Sequence, residues 1–469
     1  MGTAREQWWR RCYLLLLPSV VTREVASEES PAGNGPWQVT TLAGNAGAYS
    51  LGHVSPCREA GEAEQRKFAA PWAVSQATFA APTRVQVVNG TVFVMDGENG
   101  CIRTIANGLV SPATPCCGKH GGEDVSVGAD GDGPQDMHVT ADHFYLMDSY
   151  SYQLKRASRP FDKWVVLAGN GSRPHKGRST DGVATEQALN EPHGMAVTSD
   201  GSGDVYIAET WSSCIRLYRK GRLATVAGLC GTGGHADGHP RQQARFQHMH
   251  HINLDPRNES RLYVSDVECY DDDRFPDDQK YRPCASTDGG VCFSGLRLVE
   301  LDRQPNGAGT GLGLRVSTIA GGHSAAKKVH TLEKECNGFA DGNSTVARFN
   351  YIHGTAFQAL SAEELQLQRE NKLSALAGSA GGSRFIFVCD EGNSRIRRVD
   401  LTTHETHTVA GSGHTGGVHH SPKDGPGPEA EFRFPGGLGV AADGVIYVGD
   451  YAANRIRKIT PPPQRGRTA

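Results

Sequence analysis

GDVYIAETWSSCIRLYRKG, residues 203–221, contains the unit from which most of this chain is built. An alternating apolar run ends in an acidic residue, a short polar turn follows, and a second run begins with an apolar–basic pair. Two later segments repeat this order, SRFIFVCDEGNSRIRRVD (383–400) and GVIYVGDYAANRIRKIT (444–460). Alternating apolar and polar residues on both sides of a short turn predict a β-hairpin.

The acid and the basic residue of each hairpin stand seven positions apart. This spacing occurs five times: Asp96 and Arg103, Asp148 and Lys155, Glu209 and Arg216, Asp390 and Arg397, and Asp450 and Arg457. A sixth pair, Asp266 and Arg297, fits if 24 extra residues lengthen the hairpin loop. Because the pair recurs in every unit, we interpret it as a structural, charge-assisted hydrogen bond and not as catalytic machinery.

Each hairpin is preceded by one apolar segment, and most are followed by another that ends in Ala-Gly. Four short strands per unit, repeated six times, predict an all-β fold, a six-bladed β-propeller of four-stranded blades over residues 37–460. The last unit stops after its third strand at Thr460, and an orphan strand, WQVTTLAG (37–44), lies at the other end of the chain. We therefore expect the N-terminal strand to complete the C-terminal blade and to close the ring.

These features resemble NHL repeat proteins. The motifs that carry the resemblance are the Ala-Gly strand ends, the segment ARF at 244–246 and 347–349, NRIRKI at 454–459, and interblade Asp-Gly loops. The Asp-Gly pairs begin at Asp130, Asp181, Asp237, Asp341 and Asp424. The resemblance implies NHL-type blades over nearly the whole chain, but it implies no particular activity, because one fold serves many functions.

Two insertions break the period. The first, residues 267–292, contains three cysteines and the acidic run YDDDRFPDD (270–278). Hard cations such as calcium prefer clustered oxygens, but EF-hand spacing is missing, so we favour a solvated acidic loop. The second insertion, residues 361–376, is predicted to contain a surface helix, because Ser361 and Glu364 form a capping-box pattern.

Histidines recur at one level of the predicted channel. Counted from the start of each inner strand, equivalent positions hold Thr83, Gln135, His193, His250, His353 and Gly436. Three histidines and a water form a catalytic type of zinc site, so His193, His250 and His353 are candidate metal ligands at the channel mouth. The alternative, which we prefer from sequence alone, is that each histidine bonds a backbone carbonyl. His248 and His251 fall outside this register and are expected in a loop.

A second resemblance bears on these histidines. The peptidylglycine amidating lyase group has the same type of propeller and binds zinc through three channel histidines, with a tyrosine beside the metal. EPHGMAV (191–197) is similar to its histidine contexts, and Tyr150 is a candidate for the catalytic tyrosine. Here, however, the three histidines come from consecutive blades, whereas the lyase uses non-adjacent ones.

The first 27 residues are typical of a secretory signal peptide: Arg5, Arg10 and Arg11 precede the apolar run 12–21, and small residues follow. The alternative is a membrane anchor formed by residues 12–21. Asn-X-Ser/Thr sequons, all expected in turns or loops, suggest glycosylation in the secretory pathway. They lie at Asn89, Asn170, Asn258 and Asn343.

The cysteines repeat in register with the blades. Cys101 and Cys214 each begin a third strand, and Cys116 or Cys117 and Cys230 lie in the loops that follow. This placement predicts two equivalent disulfides, Cys101 with Cys116 or Cys117, and Cys214 with Cys230. Within the insertion, two of Cys269, Cys284 and Cys292 are candidates for a third bridge. Cys57, Cys336 and Cys389 have no predicted partner.

Two functions remain open at this stage. The formal net charge of −3 argues against nucleic acid as a partner. The leading hypothesis is a secreted or lumenal monomeric propeller, without a membrane span, that binds a protein or glycan. The alternative is a metal-dependent lyase or hydrolase that uses the channel histidines. Residues 461–469 are expected to form a disordered tail.

Overall fold

The computed structural model describes most of the repeat region. The described residues are 35–44, 71–97, 99, 101–114, 134–149, 151–159, 161, 163–174, 179–267, 293–304, 307–323, 338–370, 383–414 and 422–463. They form six antiparallel sheets. The innermost strand of each sheet contacts the innermost strands of the two neighbouring sheets all the way round, so the sheets are the blades of a closed six-bladed propeller. The predicted fold is therefore confirmed.

Blades one to three are each built in chain order from the channel outwards, and blades one and three carry an additional two-residue strand on the outer edge. Their strands are β2 (Trp72–Ala73), β3 (Pro82–Val88), β4 (Thr91–Asp96), β5 (Cys101–Ala106) and β6 (Leu109–Pro112) in blade one; β7 (Pro134–Val139), β8 (His143–Asp148), β9 (Gln153–Ser158) and β10 (Trp164–Ala168) in blade two; β11 (Gly182–Val183), β12 (Pro192–Val197), β13 (Val205–Glu209), β14 (Cys214–Arg219) and β15 (Arg222–Ala227) in blade three.

Blades four and five have four strands, and blade six combines both ends of the chain. Their strands are β16 (His248–Asp255), β17 (Asn258–Val267), β18 (Phe293–Leu301) and β19 (Gly313–His323) in blade four; β20 (Ile352–Phe357), β21 (Phe385–Asp390), β22 (Arg395–Asp400) and β23 (Thr406–Ala410) in blade five; β24 (Gly425–Pro426), β25 (Pro435–Val440), β26 (Ile446–Asp450), β27 (Arg455–Thr460) and β1 (Gln38–Ala43) in blade six.

The ring is closed by β1. This N-terminal strand pairs antiparallel with β27, with Val39 opposite Ile459, and β24 pairs on its other side. The predicted closure is therefore confirmed. Val39 and Ile459 are buried in one apolar cluster with Val448, so the strand is held by burial of apolar surface as well as by backbone hydrogen bonds.

The acid–base pairs brace the hairpins as predicted. In all six blades the carboxylate and the basic group lie within 3.2 Å of each other. In blade five, for example, Arg397 binds Asp390 at 2.6 Å and also Asp341 of an interblade Asp-Gly loop at 2.6 Å, while its guanidinium lies over the ring of Phe349. Arg397 is fully buried, so the pair holds two adjacent structural units together and is unavailable for chemistry.

The described part of the second insertion is helical. Helix α1 (Ala362–Arg369) begins after Ser361, and the predicted capping box between Ser361 and Glu364 is present. Glu364 also binds Arg257 at 2.7 Å, which fixes the helix to the β16–β17 hairpin. Among the described residues, no helix is long and apolar enough to cross a membrane. The predicted signal peptide (residues 1–27), the run 12–21, most of the acidic insertion and residues 464–469 lie outside the described residues.

One predicted disulfide is present in the described residues. Cys214 and Cys230 are bonded with their Cα atoms 5.0 Å apart. Cys101 is also disulfide-bonded, and its predicted partners, Cys116 and Cys117, lie outside the described residues, as do Cys269, Cys284 and Cys292. Cys389 is buried and free.

Candidate site at the mouth of the channel

The six inner strands enter the channel in the same way. In each blade the first register partner of the hairpin acid is the residue that precedes the predicted ring position: Pro82, Pro134, Pro192, Met249, Ile352 and Pro435. A β-bulge or irregularity follows immediately in every case. The register predicted from the sequence is therefore correct, and the bulge re-aims the next side chains.

The chain turns sharply just before several of these strands. The residue before the strand has a left-handed backbone in blades one, three, five and six, at Ala81, Glu191, Tyr351 and Phe434. Proline follows in three of these four blades, and its fixed φ suits the first position of a strand, where no ladder hydrogen bond is lost. Local sequence thus sets where the channel mouth begins.

Three imidazoles converge at this mouth. The ligating nitrogens of His193, His248 and His250 all lie within 4.8 Å of one another, and we call these residues the histidine cluster. His193 comes from blade three and the other two from blade four. The expectation that His248 lies in a loop is wrong: it is the first residue of β16 and belongs to the cluster, because the strand begins two residues earlier than the register position.

His250 is the most enclosed member of the cluster. Only 8% of it is exposed, and neither ring nitrogen has a hydrogen-bond partner among the described residues. Burial, followed by the neighbouring imidazoles, lowers the pKa of His250 well below its usual value, so the ring is neutral at neutral pH. A buried polar atom without a partner costs about 1–3 kcal/mol, and His250 has two of them.

His353 lies beside the cluster and not within it. Its ring centroid is 4.6 Å from that of His250. Its Nδ1 lies 2.7 Å from the carbonyl oxygen of Gly436 in the next blade, so Nδ1 carries the proton and donates. That contact is the carbonyl-bonding role that we preferred from sequence alone, and it leaves Nε2 as the free lone pair. Burial lowers the pKa of His353, which keeps the ring neutral.

A carboxylic acid completes the mouth on the side of blade five. Glu391 follows the hairpin acid Asp390, and its Oε2 lies 3.8 Å from Nδ1 of His353. The residue is 7% exposed, and burial raises its pKa to about 8. Sequence analysis missed this residue. The signal was available, because a residue directly after the hairpin acid lies at the mouth in every blade.

A second layer of polar side chains crosses the channel one residue deeper. Arg84 of blade one donates from Nε to Asp136 of blade two at 2.7 Å and from Nη1 to the carbonyl of Leu438 in blade six at 3.4 Å. The second carboxylate oxygen of Asp136 accepts from the backbone N–H of Met195 in blade three at 2.8 Å. Burial on its own would raise the pKa of Asp136. The charge of Arg84 and the hydrogen bonds to the carboxylate outweigh burial and lower the pKa to about 2.

His251 joins blades four and five to this layer. Its Nδ1 accepts from the side-chain amide of Asn253 at 2.9 Å and from the backbone N–H of Thr355 at 3.3 Å. The proton therefore resides on Nε2, which lies 3.4 Å from Asp136. We call Arg84, Asp136, His251 and Thr355 the channel belt. It links the inner strands of all six blades, and the expectation that His251 lies in a loop is wrong.

The other sequence-predicted residues lie away from this site or outside the described residues. Tyr150 lies outside them, so its catalytic candidacy stays a prediction. Asn89, Asn170 and Asn343 are exposed, in turns or loops as expected. Asn258 begins strand β17 instead of lying in a loop, and its side-chain oxygen accepts from the Ser260 hydroxyl at 2.6 Å. Glycosylation at all four positions stays a prediction.

The donor set of the histidine cluster fits a transition metal. Neutral imidazole is the ligand form, and nitrogen donors suit zinc, copper and nickel better than calcium or magnesium. Three protein ligands would leave a coordination position open for water or a ligand. The unpartnered nitrogens of His250 are the observation in this structure that agrees with such an ion, because a metal would satisfy one of them directly.

No protein-family model matches this sequence, and no curated protein matches it. Solved structures do match. An auxiliary nutrient binding protein from Bacteroides thetaiotaomicron is 14% identical with a TM-score of 0.56, over 91% of this chain and 76% of that chain. An auxiliary nutrient binding protein from Bacteroides ovatus is 15% identical with a TM-score of 0.54, over 92% of this chain and 78% of that chain. The chain therefore shares the overall fold of these proteins.

Proposed function

We propose that this protein is an extracytoplasmic binding propeller of the NHL type, and that its binding site is the mouth of the channel. The names of the two similar Bacteroides structures agree with a binding role. The Cys214–Cys230 disulfide agrees with an oxidising compartment. The partner is a protein or a glycan that reaches the mouth through one of its functional groups, and the protein acts as a monomer.

The observation that carries this proposal is the contrast between His250 and the acid–base pairs. The charged side chains that repeat in every blade bind each other in pairs, and only Nε of Arg103, Arg216 and Arg457 lacks a partner in the described part of the chain. His250 is equally enclosed but keeps both ring nitrogens without a hydrogen-bond partner in the described part of the chain. Buried polar groups in native proteins are nearly always satisfied, so the missing partner of His250 is supplied by a ligand.

We further propose that this partner is a transition-metal ion held by His193, His248 and His250, with zinc as the first choice. The ion would present an open position to the channel entrance, and a donor atom of the binding partner would occupy it. In this proposal, His353 orients the pocket through its bond to Gly436 and ligates nothing. Calcium remains a weaker prediction for the acidic run 270–278, outside the described residues.

A metal-dependent lyase or hydrolase is the second candidate. The observation that favours it is the carboxyl group of Glu391 on the same rim as the histidine cluster, because a metal-bound water needs a proton acceptor nearby. The resemblance to the peptidylglycine amidating lyase group suggests α-hydroxyglycine peptides as the first substrates to try. Cleavage of these peptides by zinc-loaded protein, lost in His250→Ala, would replace the binding proposal with the enzymatic one.

Metal analysis of purified protein tests the metal proposal. We expect close to one equivalent of zinc per chain after equilibration with zinc and desalting, and a loss of most of it in His250→Ala. His407→Ala, which removes an exposed histidine of β23, is the matched control and should retain the ion. Protein that retains no zinc, copper or nickel, or zinc that persists in His250→Ala, would overturn the metal proposal.

A further inference from the structure

Glu391 differs from the residues at the same position in blades two and three. The residue after the hairpin acid is Ser149 in blade two and Thr210 in blade three. Each of these hydroxyls donates to a backbone carbonyl of the next inner strand, that of Pro192 for Ser149 and that of Met249 for Thr210 at 2.6 Å. In blade five this position holds a carboxyl group, and the next inner strand is bonded by His353 instead. The hydrogen bond between blades five and six is therefore made without Glu391.

Among the residues that the structure describes, none donates a hydrogen bond to the side chain of Glu391. Its carboxyl is 91% buried, since 9% of the side chain is exposed, and its 3.8 Å approach to His353 is longer than a hydrogen bond. The proton on Nδ1 of His353 is already given to Gly436. The carboxyl of Glu391 therefore accepts no hydrogen bond from the residues that the structure describes, although a buried carboxylate normally has several.

No positive charge of the described mouth is free to pair with Glu391. Nδ1 of His353 already donates to the carbonyl oxygen of Gly436 at 2.7 Å. Arg84 of the channel belt is already paired with Asp136 at 2.7 Å. Within the described residues, the mouth therefore carries an acidic group without a cationic partner, next to His353.

We infer that the ligand of the channel mouth carries a protonated amine that binds Glu391, and that Glu391 determines this specificity. An ammonium group supplies three donors and one positive charge, which are the two things that the Glu391 carboxylate lacks. The inference rests on the proposed function for its second half: an anionic donor atom, several bonds from the amine, would bind the metal at the histidine cluster. The ligand class is then an amine that also carries a carboxylate or similar group.

Three small probes of equal chain length separate the two halves of this ligand. Pentylamine carries the amine alone, pentanoate carries the metal-binding carboxylate alone, and 5-aminopentanoate carries both. Titration calorimetry would be performed on zinc-loaded full-length protein, on Glu391→Gln and on Glu429→Gln. Glu429→Gln removes an exposed carboxylate and is the matched control. Zinc content and thermal unfolding of each variant are measured first, and we expect no loss of either in Glu391→Gln.

We expect wild-type protein to bind 5-aminopentanoate about tenfold or more tightly than pentanoate, the effect of one charge-assisted hydrogen bond at a buried site. Glu391→Gln should abolish this preference, and Glu429→Gln should retain it. Equal affinities for the two probes in wild type, failure of wild type to bind either amine, or a preference that survives in Glu391→Gln would overturn the inference.

The pentylamine titration distinguishes failure of this inference from failure of the metal proposal. If the protein holds no zinc but binds pentylamine, and Glu391→Gln does not bind it, the amine specificity stands and the metal proposal is wrong. If zinc is present and pentanoate binds but neither amine gains affinity from Glu391, the metal proposal stands and the amine specificity is wrong.

Discussion

His250 and His251 are consecutive residues of β16 with opposite situations. Both are buried, at 8% and 5% exposure, and burial lowers the pKa of both imidazoles. His251 places both ring nitrogens within 3.4 Å of polar partners in the channel belt. His250 lies one residue nearer the entrance. Among the described residues, neither of its ring nitrogens has a hydrogen-bond partner.

This contrast distinguishes a structural layer from a binding layer in one channel. The channel belt brings its polar groups within 3.4 Å of one another and joins the inner strands of all six blades, so its residues contribute to the stability of the ring. In the described part of the chain, His250 and Glu391 keep polar groups at the mouth without a hydrogen-bond partner, which lowers stability in the absence of ligand. Substitutions in the belt should therefore affect folding, whereas substitutions in the mouth should affect binding.

The largest effect is expected for the carboxylate at the centre of the belt. Asp136→Ala leaves the buried Arg84 without its partner and removes acceptors from Met195 and His251. Loss of one partner of a buried ion pair costs about 3–5 kcal/mol. Urea unfolding would measure this loss, and His193→Ala in the mouth should lose far less. Equal losses in the two variants would contradict the division into two layers.

Acid should weaken the channel belt through protonation of His251. The pKa of His251 is lowered to about 4 from 6.5, so the stability given by its neutral form is fully present above pH 6.5. It is lost as the pH falls towards 4, because the unfolded chain takes up the proton first. The loss is about 3 kcal/mol for one such group.

Urea unfolding between pH 7 and pH 4 checks this dependence. In His251→Leu the slope of the unfolding free energy against pH should correspond to about one proton fewer than in wild type. Asp136, with a pKa lowered to about 2 from 3.8, would add a further loss only below pH 3.8. An identical slope in wild type and His251→Leu would show that the belt histidine is not held neutral.

The neighbouring histidines provide a matched pair of substitutions. His251→Leu removes bonds to Asn253 and Thr355 and should destabilise the protein by about 2 kcal/mol. His250→Leu replaces two unpartnered nitrogens by apolar atoms of similar volume, so metal-free protein should be unchanged or slightly more stable. Thermal unfolding of both variants with a chelator present measures the difference. A greater loss in His250→Leu than in His251→Leu would contradict our assignment.

The smallest loss of stability is expected at the border between the channel belt and the histidine cluster. Thr210 donates to the carbonyl of Met249 at 2.6 Å, which anchors the bulge that carries His248 and His250. Thr210→Val should cost about 1 kcal/mol of stability and should lower zinc affinity several-fold, because the cluster loses its anchor. Unchanged zinc affinity, measured by competition with a chromogenic chelator, would show that this bond does not position the cluster.

The repeat made much of the fold predictable from sequence. Six copies of one acid–base spacing predicted the six blades. The strand at 37–44 predicted the closure with β27, because the last blade lacked one strand of the repeating pattern. The same register placed His193, His250 and His353 at one level of the channel. These residues do lie near one another, with ring centroids 5.6 Å apart for His193 and His250.

The chemistry of individual histidines was less predictable. His248 joins the cluster because β16 begins two residues early, and no local pattern indicates that extension. His251 lies within 3.4 Å of Asp136 and Thr355, which are 115 and 104 positions away in the sequence. His353 was a candidate metal ligand with a carbonyl-bonding role preferred, but the identity of its partner, Gly436, depends on where the next blade places a carbonyl group. Glu391 was missed because its carboxyl group does not recur at the same position in the other blades.

Cobalt titration of metal-free protein, followed by visible absorption, tests the central claim most directly. We predict one equivalent of cobalt(II) with the intense visible bands of a four-coordinate site, lost in His250→Leu and retained in His251→Leu wherever that variant is folded. Cobalt that does not bind, or bands that persist in His250→Leu and vanish in folded His251→Leu, would contradict the account of a binding layer above a structural one.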